Sequence, residues 1–350
     1  MTKHKRSGWF RILMIVGIIL IAAGAFTVYK AYTILYKSNV YLNGKKSEYL
    51  YIRTGADFTE VTDTLRNGKY LINPETFEWL ADYKDYKNHI KPGKYQIKTG
   101  MSNNDLINML KSGRQEPVKL VFNNIRTKYQ LAGKIAKQLE ADSLSMINLL
   151  NDTEYLKKFG FTSYNAVVVF IPNTYEIYWN TSAKQLFERM KEEHEKFWDS
   201  NRKGKAKEAG LSPIEIEILS SIVQEETKQY AEMPTIAGLY INRLNKGMNM
   251  EADPTVIFAI GDYTIKRVLK RHLEFESPYN TYKHKGLPPG PICLPDPKVI
   301  DKALNFETHN YIFMCAKEDF SGYHNFAKTG AEHAANARRY QNALNKYQIK

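Results

Sequence analysis

The chain has 350 residues, a length typical of two folded domains with additional segments. Hydrophobic residues make up 43% of it and charged residues 25%, which excludes a wholly disordered protein. Its two cysteines exclude a disulfide-stabilised scaffold and a four-cysteine zinc site. The formal net charge of +13 favours an anionic partner: nucleic acid, a lipid surface or an acidic polymer.

An apolar segment near the N-terminus predicts the compartment of the protein. No charged residue occurs from Ile12 to Tyr29, and these roughly 18 residues reach the lower limit for a helix that crosses a bilayer. We therefore predict a basic cytoplasmic tail at 1–11 and a transmembrane anchor at 12–33. Under the positive-inside rule, four basic residues ahead of the anchor predict a cytoplasmic N-terminus: Lys3, Lys5, Arg6 and Arg11.

No second long apolar segment follows the anchor, so we expect a single-pass protein of the cell (inner) membrane with its folded part outside the cytoplasm. A cleaved signal peptide is the alternative, since Ala23-Gly24-Ala25 resembles a cleavage site. The apolar segment nevertheless continues past that site through Val28. Either placement argues against nucleic acid as the partner and favours anionic lipid or a cell-wall polymer.

The segment 45–115 predicts a small β-α-α-β-α module. Its strands are expected at 48–53 and 94–98, where short β-branched or aromatic segments occur. Three polar residues are expected to begin its helices: Asp57, Asn73 and Ser102. The size and element order resemble the LysM-type glycan-binding fold. A packing module without a ligand is the alternative.

The remainder, 116–347, predicts a mixed α+β domain, so the fold class of the chain is α+β. A buried strand is expected at 167–171 and a charged amphipathic helix at 183–200. The Glu-Glu-His-Glu run at 192–195 favours a solvated helix face rather than a metal site. The polar segment 201–210 is typical of a connection. No spaced His or Cys motif indicates a metal site, and no cofactor is predicted.

The segment 212–229 predicts a helix with one acidic residue on its apolar face. Ser212 is a typical N-cap, Pro213 suits the first turn, and Glu215 completes a capping box. At about 100° per residue, Glu226 falls near the centre of the apolar stripe. That stripe consists of Ile214, Ile218, Leu219, Ile222 and Val223.

A carboxyl group at the position of Glu226 has two interpretations. Burial raises the pKa of a carboxyl group, and one that is partly protonated near neutral pH is suited to act as a general acid. Alternatively, Glu226 is a buried residue paired with a cation such as Arg243. The periodicity alone does not choose between the two.

Several motifs accompany this helix in a fixed order along the chain. The helix itself contains Ser221-Ile-Val-Gln-Glu-Glu-Thr227. The others are Phe170-Ile-Pro-Asn-Thr-Tyr175, Ile241-Asn-Arg-Leu244, Asp253-Pro-Thr-Val256, Tyr279-Asn-Thr-Tyr282, Gly286-Leu-Pro-Pro-Gly-Pro-Ile292, Tyr323-His-Asn-Phe326 and His333. Together they resemble the MltG/YceG-like endolytic murein transglycosylases over roughly residues 45–345. Asn173 stands where that family usually has Asp, and the preceding Glu-Gly pair of the family is absent.

The resemblance implies cleavage of the MurNAc-β-1,4-GlcNAc bond in nascent peptidoglycan strands. The catalytic glutamate of the family corresponds to Glu226. It would protonate the glycosidic oxygen and then accept the proton of the MurNAc 6-hydroxyl, which gives 1,6-anhydro-MurNAc ends and terminates elongation. Ordinary glycosidases use two carboxyl groups instead. By the same analogy, the expected partners are glycan strands, membrane lipid around the anchor, and peptidoglycan synthases.

Five further residues are candidates for substrate contacts: Asp253, Thr255, Asn280, Tyr282 and His324. Asp253 alternatively caps the helix after it, and His324 is alternatively a structural histidine. Two other functions stay open, a hydrolase that uses Glu226 with Asp253 and a non-catalytic scaffold that binds the cell wall. Cys293 and Cys315 would be able to pair in an oxidising compartment, but their separation in the sequence does not decide this.

Overall fold

The structure is a computed structural model that describes residues 5–347, so Lys3 of the expected basic tail lies outside the described residues. The chain separates into two compact units. Unit 1 extends to Val118 and also includes Glu176–Asn180. Unit 2 consists of Lys119–Tyr175 and the chain from Thr181 onward.

The N-terminal apolar segment forms one long helix, α1 (Lys5–Tyr36). Its portion Gly8–Tyr36 is long and apolar enough to cross a membrane. The apolar side chains are exposed along most of its length, whereas Ile34 and Leu35 pack against the core of unit 1. A helix that is apolar on all sides requires an apolar environment. A signal sequence would meet the same criteria, so the retained anchor stays a prediction.

Unit 1 contains the β-α-α-β-α order that the sequence predicts. Its elements are β1 (Ser47–Ile52), α2 (Phe58–Asn67), α3 (Pro74–Tyr83), β2 (Gly93–Lys98) and α4 (Asn103–Ser112). The two strands are antiparallel, with Ser47 opposite Lys98 and Ile52 opposite Gly93. The specific resemblance to LysM modules stays a prediction.

The helices of unit 1 begin where the sequence predicts. Asp57, Asn73 and Ser102 each accept a hydrogen bond from the backbone N–H three residues later, which satisfies a donor that the helix itself leaves free. The helices then bury one face against the sheet. The largest side chains of this core include Tyr95, Phe77, Leu50, Leu65 and Leu80.

The segment Glu176–Asn180 groups with unit 1, although the sequence places it in the second domain. Trp179 packs its ring against Tyr51 of β1, with ring centroids 5.0 Å apart and an interplanar angle of 62°. An edge-to-face contact of this kind adds to the apolar burial of both rings. Residues so distant in the sequence leave no local pattern that would reveal the contact.

The chain from Val118 onward is mostly helical, with short strands. The elements are β3 (Val118–Val121), α5 (Lys128–Ala136), α6 (Ser143–Asn151), α7 (Thr153–Lys157), a 3-10 helix (Ala166–Val169), β4 (Thr174–Ile177), α8 (Ala183–Phe197), α9 (Ser200–Glu208), α10 (Pro213–Glu226), α11 (Met233–Asn245), α12 (Asp253–Ile260), α13 (Lys270–Leu273), α14 (Pro297–Leu304), β5 (Phe313–Ala316), β6 (His324–Ala327) and α15 (Gly330–Lys346). β3 pairs with β4, and β5 with β6. The mixed α+β class is confirmed.

Helix α10 lies in the middle of the main core of unit 2. It contacts α9, α11, α12 and α14. Four members of the predicted apolar stripe are buried, with at most 4% exposure: Ile218, Leu219, Ile222 and Val223. The fifth member, Ile214, is only half-buried, whereas Ile216 outside the predicted stripe is fully buried. The capping box of Ser212 and Glu215 is formed as predicted. This packing holds the end of α10 in a defined position.

The buried strand expected at 167–171 is wrong, because Ala166–Val169 forms a 3-10 helix. The side chains of Thr162 and Asn165 each accept a hydrogen bond from the backbone of the other residue, at 3.3 and 2.7 Å. This reciprocal bonding starts a turn that the apolar residues continue. Val168 and Val169 are buried as expected, but their 3-10 helix packs against helix α8 (Ala183–Phe197) rather than within a sheet.

The connection expected at 201–210 is also wrong, because Ser200–Glu208 forms helix α9. Asp199 caps this helix by accepting from the backbone N–H of Arg202. The Arg202 guanidinium also pairs with Asp301 of α14, with Nε and Oδ1 2.9 Å apart. The helix is therefore stabilised by polar contacts, which a search for apolar periodicity does not detect.

The acidic run on α8 is solvated only in part. Glu192 and Glu195 are exposed, but His194 is buried, with its Nε2 3.1 Å from both carboxylate oxygens of Glu217. Glu217 is only 1% exposed, and Trp198 donates to it through Nε1 at 3.4 Å. Burial raises the pKa of Glu217, and the bonds from His194 and Trp198 oppose that effect.

Replacing His194 by alanine should strongly destabilise unit 2. The substitution leaves the Glu217 carboxylate buried without its main partner, and we expect a loss of about 3 kcal/mol in the free energy of unfolding. Urea unfolding of the His194→Ala variant measures this loss. Glu192→Ala on the exposed face of the same helix is the matched control, expected to cost less than about 0.5 kcal/mol. Equal losses in both variants would contradict the proposed importance of the buried pair.

Candidate active site

Glu226 is the last residue of α10 and lies at a cavity in unit 2. Thr227 follows in an extended conformation, which ends the helix at that point. The cavity has a volume of about 250 Å³. Its polar lining includes Glu226, Tyr240, Arg243, Glu251, Asp253, Tyr282, His324 and His333. The C-terminal end of α10 thus places the Glu226 carboxyl group at a cavity lined by polar side chains.

The Glu226 carboxyl group is bonded by a hydroxyl group and not by a cation. Tyr240 of α11 donates from Oη to Oε1 at 2.5 Å. Burial raises the pKa of Glu226 to about 7, while the bond from Tyr240 opposes the rise and the nearby charge of Asp253 adds to it. The group is therefore divided between its protonated and ionised forms near neutral pH, as a general acid requires.

The alternative pairing of Glu226 with Arg243 is wrong. The Arg243 guanidinium pairs with Glu251 and donates to the carbonyl oxygens of Asn249, at 2.7 Å, and Ile312, at 2.8 Å. These acceptors hold the cation in the cavity wall. In the described part of the chain no ion pair involves Glu226, and a cation beside it would lower the carboxyl pKa.

The neighbouring Glu225 has a different partner from Glu226. Its carboxylate pairs with Arg126, with Oε2 and Nη2 2.8 Å apart. The two adjacent glutamates of α10 thus meet different environments, because about 100° of helix rotation separates their side chains. Glu225 has a cation to stabilise its charge, whereas within residues 5–347 the one hydrogen-bond partner of the Glu226 carboxyl group is a phenol.

Tyr240 is a site residue that the sequence analysis did not identify. It is 1% exposed, and burial raises its pKa well above the ordinary value, so it stays a hydrogen-bond donor. It stands directly before the Ile241-Asn-Arg-Leu244 motif. A phenol on the buried face of an apolar helix needs a hydrogen-bond partner. That requirement is the feature of the sequence from which Tyr240 could have been predicted to bond a polar group of the site.

Asp253 and Tyr282 meet at the same cavity. The Tyr282 hydroxyl group donates to Oδ1 of Asp253 at 2.6 Å. Asp253 is the first residue of α12 but makes no capping bond, so its alternative role as a helix cap is wrong. The carboxyl group is open to the cavity, yet surrounding protein atoms desolvate it and raise its pKa, which the bond from Tyr282 opposes.

Thr255 and Asn280 are fully buried and do not line the cavity. Thr255 donates to the carbonyl oxygen of Ala252 at 2.7 Å, next to Asp253. Asn280 donates to the carbonyl oxygens of Leu273 and Phe275, and its Oδ1 accepts from the backbone N–H of Tyr282 at 3.0 Å. Both side chains support the segments that present Asp253 and Tyr282.

His324 of β6 lines the cavity and is held by Glu232. Its Nδ1 is 2.8 Å from Oε1 of Glu232, and its backbone N–H donates to Oε2 at 3.0 Å. Glu232 is 5% exposed and also accepts from Thr227 Oγ1 at 2.6 Å. With Nδ1 facing a carboxylate, the Nε2 atom is left for other partners. One carboxylate therefore joins the end of α10 to His324.

His333 of α15 also lines the cavity. Its ring is stacked on Phe313, with centroids 5.1 Å apart and an interplanar angle of 17°. Within the described residues its Nδ1 is buried without a hydrogen-bond partner. Buried polar atoms normally have a partner, so this nitrogen is an exception in the cavity wall.

The two cysteines are free thiols and form no disulfide. Cys293 is buried beside Gln224, whose Nε2 lies 3.4 Å from the sulfur atom. Cys315 belongs to β5 and lines the cavity. Burial raises the pKa of both thiols, which makes neither a ready nucleophile.

Comparison with known proteins agrees with these observations. The model of the YceG-like family matches residues 50–339. The chain is 27% identical over 342 residues to an endolytic murein transglycosylase of Bacillus subtilis (strain 168), covering 93% of this chain and 92% of the relative. It is 24% identical over 367 residues to an endolytic murein transglycosylase of Streptococcus pneumoniae serotype 2 (strain D39 / NCTC 7466), covering 95% of this chain but only 65% of that relative.

A solved structure shows the same fold. The crystal structure of a YceG-like protein from Listeria monocytogenes aligns with a TM-score of 0.53 at 24% sequence identity. The alignment covers 83% of this chain and 99% of that chain. The family expected from the motifs is confirmed, and the enzyme class expected from them agrees with the names of the relatives. The chain belongs to the YceG-like family.

Proposed function

We propose that this chain is a membrane-anchored endolytic murein transglycosylase in which Glu226 acts first as general acid and then as general base. The observation that carries the proposal is the environment of the Glu226 carboxyl group, which lies at the cavity. Its pKa is about 7, and its only hydrogen-bond partner in the described chain is the phenol of Tyr240. The named activity of the relatives supplies the substrate class.

The first step is protonation of the glycosidic oxygen between MurNAc and GlcNAc by Glu226. The bond from C1 of MurNAc to that oxygen breaks, and its electron pair leaves with the GlcNAc hydroxyl group. In the second step the Glu226 carboxylate accepts the proton of the MurNAc 6-hydroxyl while O6 bonds to C1. The product is 1,6-anhydro-MurNAc, no water is consumed, and Glu226 returns to its protonated form.

This sequence requires a carboxyl group that changes its protonation state easily in both directions. A pKa near the working pH meets that requirement. The bond from Tyr240 stabilises the carboxylate after the first step, and burial favours the neutral acid before it. The two opposing effects keep the pKa close to neutrality.

Other groups of the cavity are suited to hold the sugar. The paired Asp253 and Tyr282 and the Nε2 atom of His324 offer donors and acceptors to hydroxyl and amide groups. Thr255 and Asn280 would act through the segments they support and not by contact. Asn173 is exposed, and its side chain accepts from the backbone N–H of Thr174.

Hydrolysis of the same bond is the second candidate, because Asp253 supplies another carboxyl group in the same cavity. In that reaction Asp253 would activate a water molecule or attack C1 while Glu226 acts as the acid. The products differ, since a hydrolase leaves reducing ends and a transglycosylase leaves anhydro ends.

The cellular setting is part of the proposal. Helix α1 would anchor the protein in the cell membrane with a cytoplasmic N-terminus and the two units outside. Nascent strands grow close to that membrane, so synthases there are the expected partners and cleavage would terminate elongation. Unit 1, if it is LysM-like, would bind glycan.

Replacing Glu226 by glutamine should abolish the formation of anhydro ends. Acid–base catalysis contributes about 100-fold or more to such reactions, and glutamine can neither donate nor accept the proton. Purified peptidoglycan is digested with the full chain in detergent, and the products are identified by liquid chromatography and mass spectrometry. Internal fragments that end in 1,6-anhydro-MurNAc are expected from the wild type only.

Glu225→Gln is the matched control, because it makes the same chemical change one residue earlier and should keep most of the activity. Reducing ends in place of anhydro ends would identify a hydrolase and make Asp253 the next residue to test. Absence of cleavage by folded wild type, on both purified peptidoglycan and lipid-linked nascent strands, would favour the non-catalytic scaffold.

Replacing Tyr240 by phenylalanine should shift the pH profile toward higher pH. The Tyr240 bond favours the charged carboxylate, so its loss raises the pKa of Glu226 above about 7, by roughly one unit. The acid form then persists to higher pH, and the alkaline limb of kcat/KM moves with it. A limb that stays in place or moves to lower pH would contradict the assignment of that limb to Glu226.

Replacing Glu232 by glutamine should lower the turnover rate about tenfold or more. The substitution weakens charge-assisted bonds from Thr227 and His324, which position the end of α10 and the imidazole ring. The rate of anhydro-product formation measures the effect. Glu318→Gln is the control, because that carboxylate bonds Asn325 of the same β-hairpin and does not line the cavity. Equal losses would show only that the hairpin is sensitive to substitution.

A further inference from the structure

A cleft lies where helix α1 joins the folded part of unit 1. Its volume is about 310 Å³. Lys30, Thr33, Ile34 and Lys37 line it from the side of α1, and Ile72 lines it from the loop before α3. The cleft lies outside the cavity of Glu226 and shares no residue with it.

The two lysines form the charged part of the cleft. Lys30 lies in the last two turns of α1 and Lys37 directly follows the end of the helix, so about 10 Å separates them along its axis. Among the described residues no carboxylate pairs with either lysine; the Lys30 ammonium group lies 5.7 Å from the ring centroid of Phe26. The cleft therefore presents two cations that no carboxylate of residues 5–347 neutralises.

Buried asparagines hold the walls of the cleft in place. Asn103 is 1% exposed and donates from Nδ2 to the carbonyl oxygen of Ile34 and to Thr76 Oγ1, both at 3.1 Å. Asn39, also buried, donates to Asn103 Oδ1 at 2.6 Å and to the carbonyl oxygen of Asn73 at 2.9 Å. These bonds fix α1 against α3 and α4, so the cleft is part of the fold.

The depth of α1 in a bilayer places this cleft at the membrane surface. The uncharged run from Ile12 to Tyr29 rises about 27 Å, close to the roughly 30 Å of a hydrocarbon core. Lys30 then lies at the boundary, and Lys37 about 10 Å further out, in the region of the lipid headgroups. Ile72 is 64% exposed in the same cleft and so offers an apolar surface beside the two lysines.

We propose that this cleft binds the phosphate group of an anionic membrane lipid, with Lys30 and Lys37 contacting the phosphate and Ile72 contacting the lipid chain. The inference rests on the proposed membrane anchor and concerns its position rather than its existence. A lipid bound on these cations would set the height and tilt of unit 1 at the membrane surface. It would also assign part of the positive charge of the chain to lipid binding.

The test is lipid retention by the full chain, measured by native mass spectrometry in detergent with phosphatidylglycerol or phosphatidylcholine added. We expect wild type to retain phosphatidylglycerol in preference to phosphatidylcholine. The Lys30→Gln/Lys37→Gln variant should bind phosphatidylglycerol about 30-fold more weakly. Each lysine near a membrane surface strengthens the binding of anionic lipid roughly fivefold, and the variant lacks two. Lys46→Gln/Lys98→Gln removes the same charge from exposed positions outside the cleft and should bind like the wild type.

Equal retention of phosphatidylglycerol by wild type and the cleft variant would overturn the proposal, and so would equal retention of the two lipids by wild type. Displacement of phosphatidylglycerol by equimolar inorganic phosphate would also overturn it, because the site would then recognise phosphate without the lipid chain. Peptidoglycan digestion by the cleft variant should be unchanged, which separates this inference from the proposed activity. Release of wild type from membranes by alkaline carbonate would contradict the anchor and the lipid site together.

Discussion

The hydrogen bond between the hydroxyl group of Tyr240 and the carboxyl group of Glu226 is the interaction on which the candidate active site depends. A carboxylate taken out of water without a partner is costly, and one next to a cation is too acidic to donate a proton near neutral pH. A phenol satisfies the buried group without fixing its charge. Arg243 in the cavity wall pairs with Glu251, and among the described residues no cation pairs with Glu226, so its pKa stays near 7.

The glutamates of α10 acquire different roles from their surroundings, and besides Glu215 of the capping box three of them show this. Glu217 is buried with His194 and Trp198, and its bonds stabilise the core. Glu225 pairs with Arg126. Glu226 ends the helix at the cavity with Tyr240 as its partner. Only the third arrangement leaves a carboxyl group open to a substrate with a pKa suited to proton transfer.

Buried polar groups also place the rest of the site. Glu232 bonds both Thr227, at the end of α10, and His324 on β6, so the position of the helix end and of the imidazole depend on one carboxylate. Asn280 supports Tyr282 in a similar way from beneath the cavity. In unit 1, Asn39 and Asn103 hold the end of α1. In each case an internal hydrogen bond converts a flexible junction into a defined geometry.

The amino-acid sequence alone is enough to predict the features that depend on residues close together in the chain. Apolar segments and capping residues predicted α1, the β-α-α-β-α order and the capped start of α10. The helical periodicity also placed Glu226 on the apolar face of α10. These features depend on the spacing of apolar residues and on hydrogen bonds between residues close in the chain. The folded structure is needed to show what surrounds each group: Tyr240 beside Glu226, Arg243 with Glu251, His194 inside the core, and Trp179 against Tyr51. It also decided that Ala166–Val169 coils as a 3-10 helix and that Ser200–Glu208 is helical. Partners that meet through folding leave no periodic signal along the chain, and burial, which sets the pKa of Glu226, arises only when those distant segments pack together.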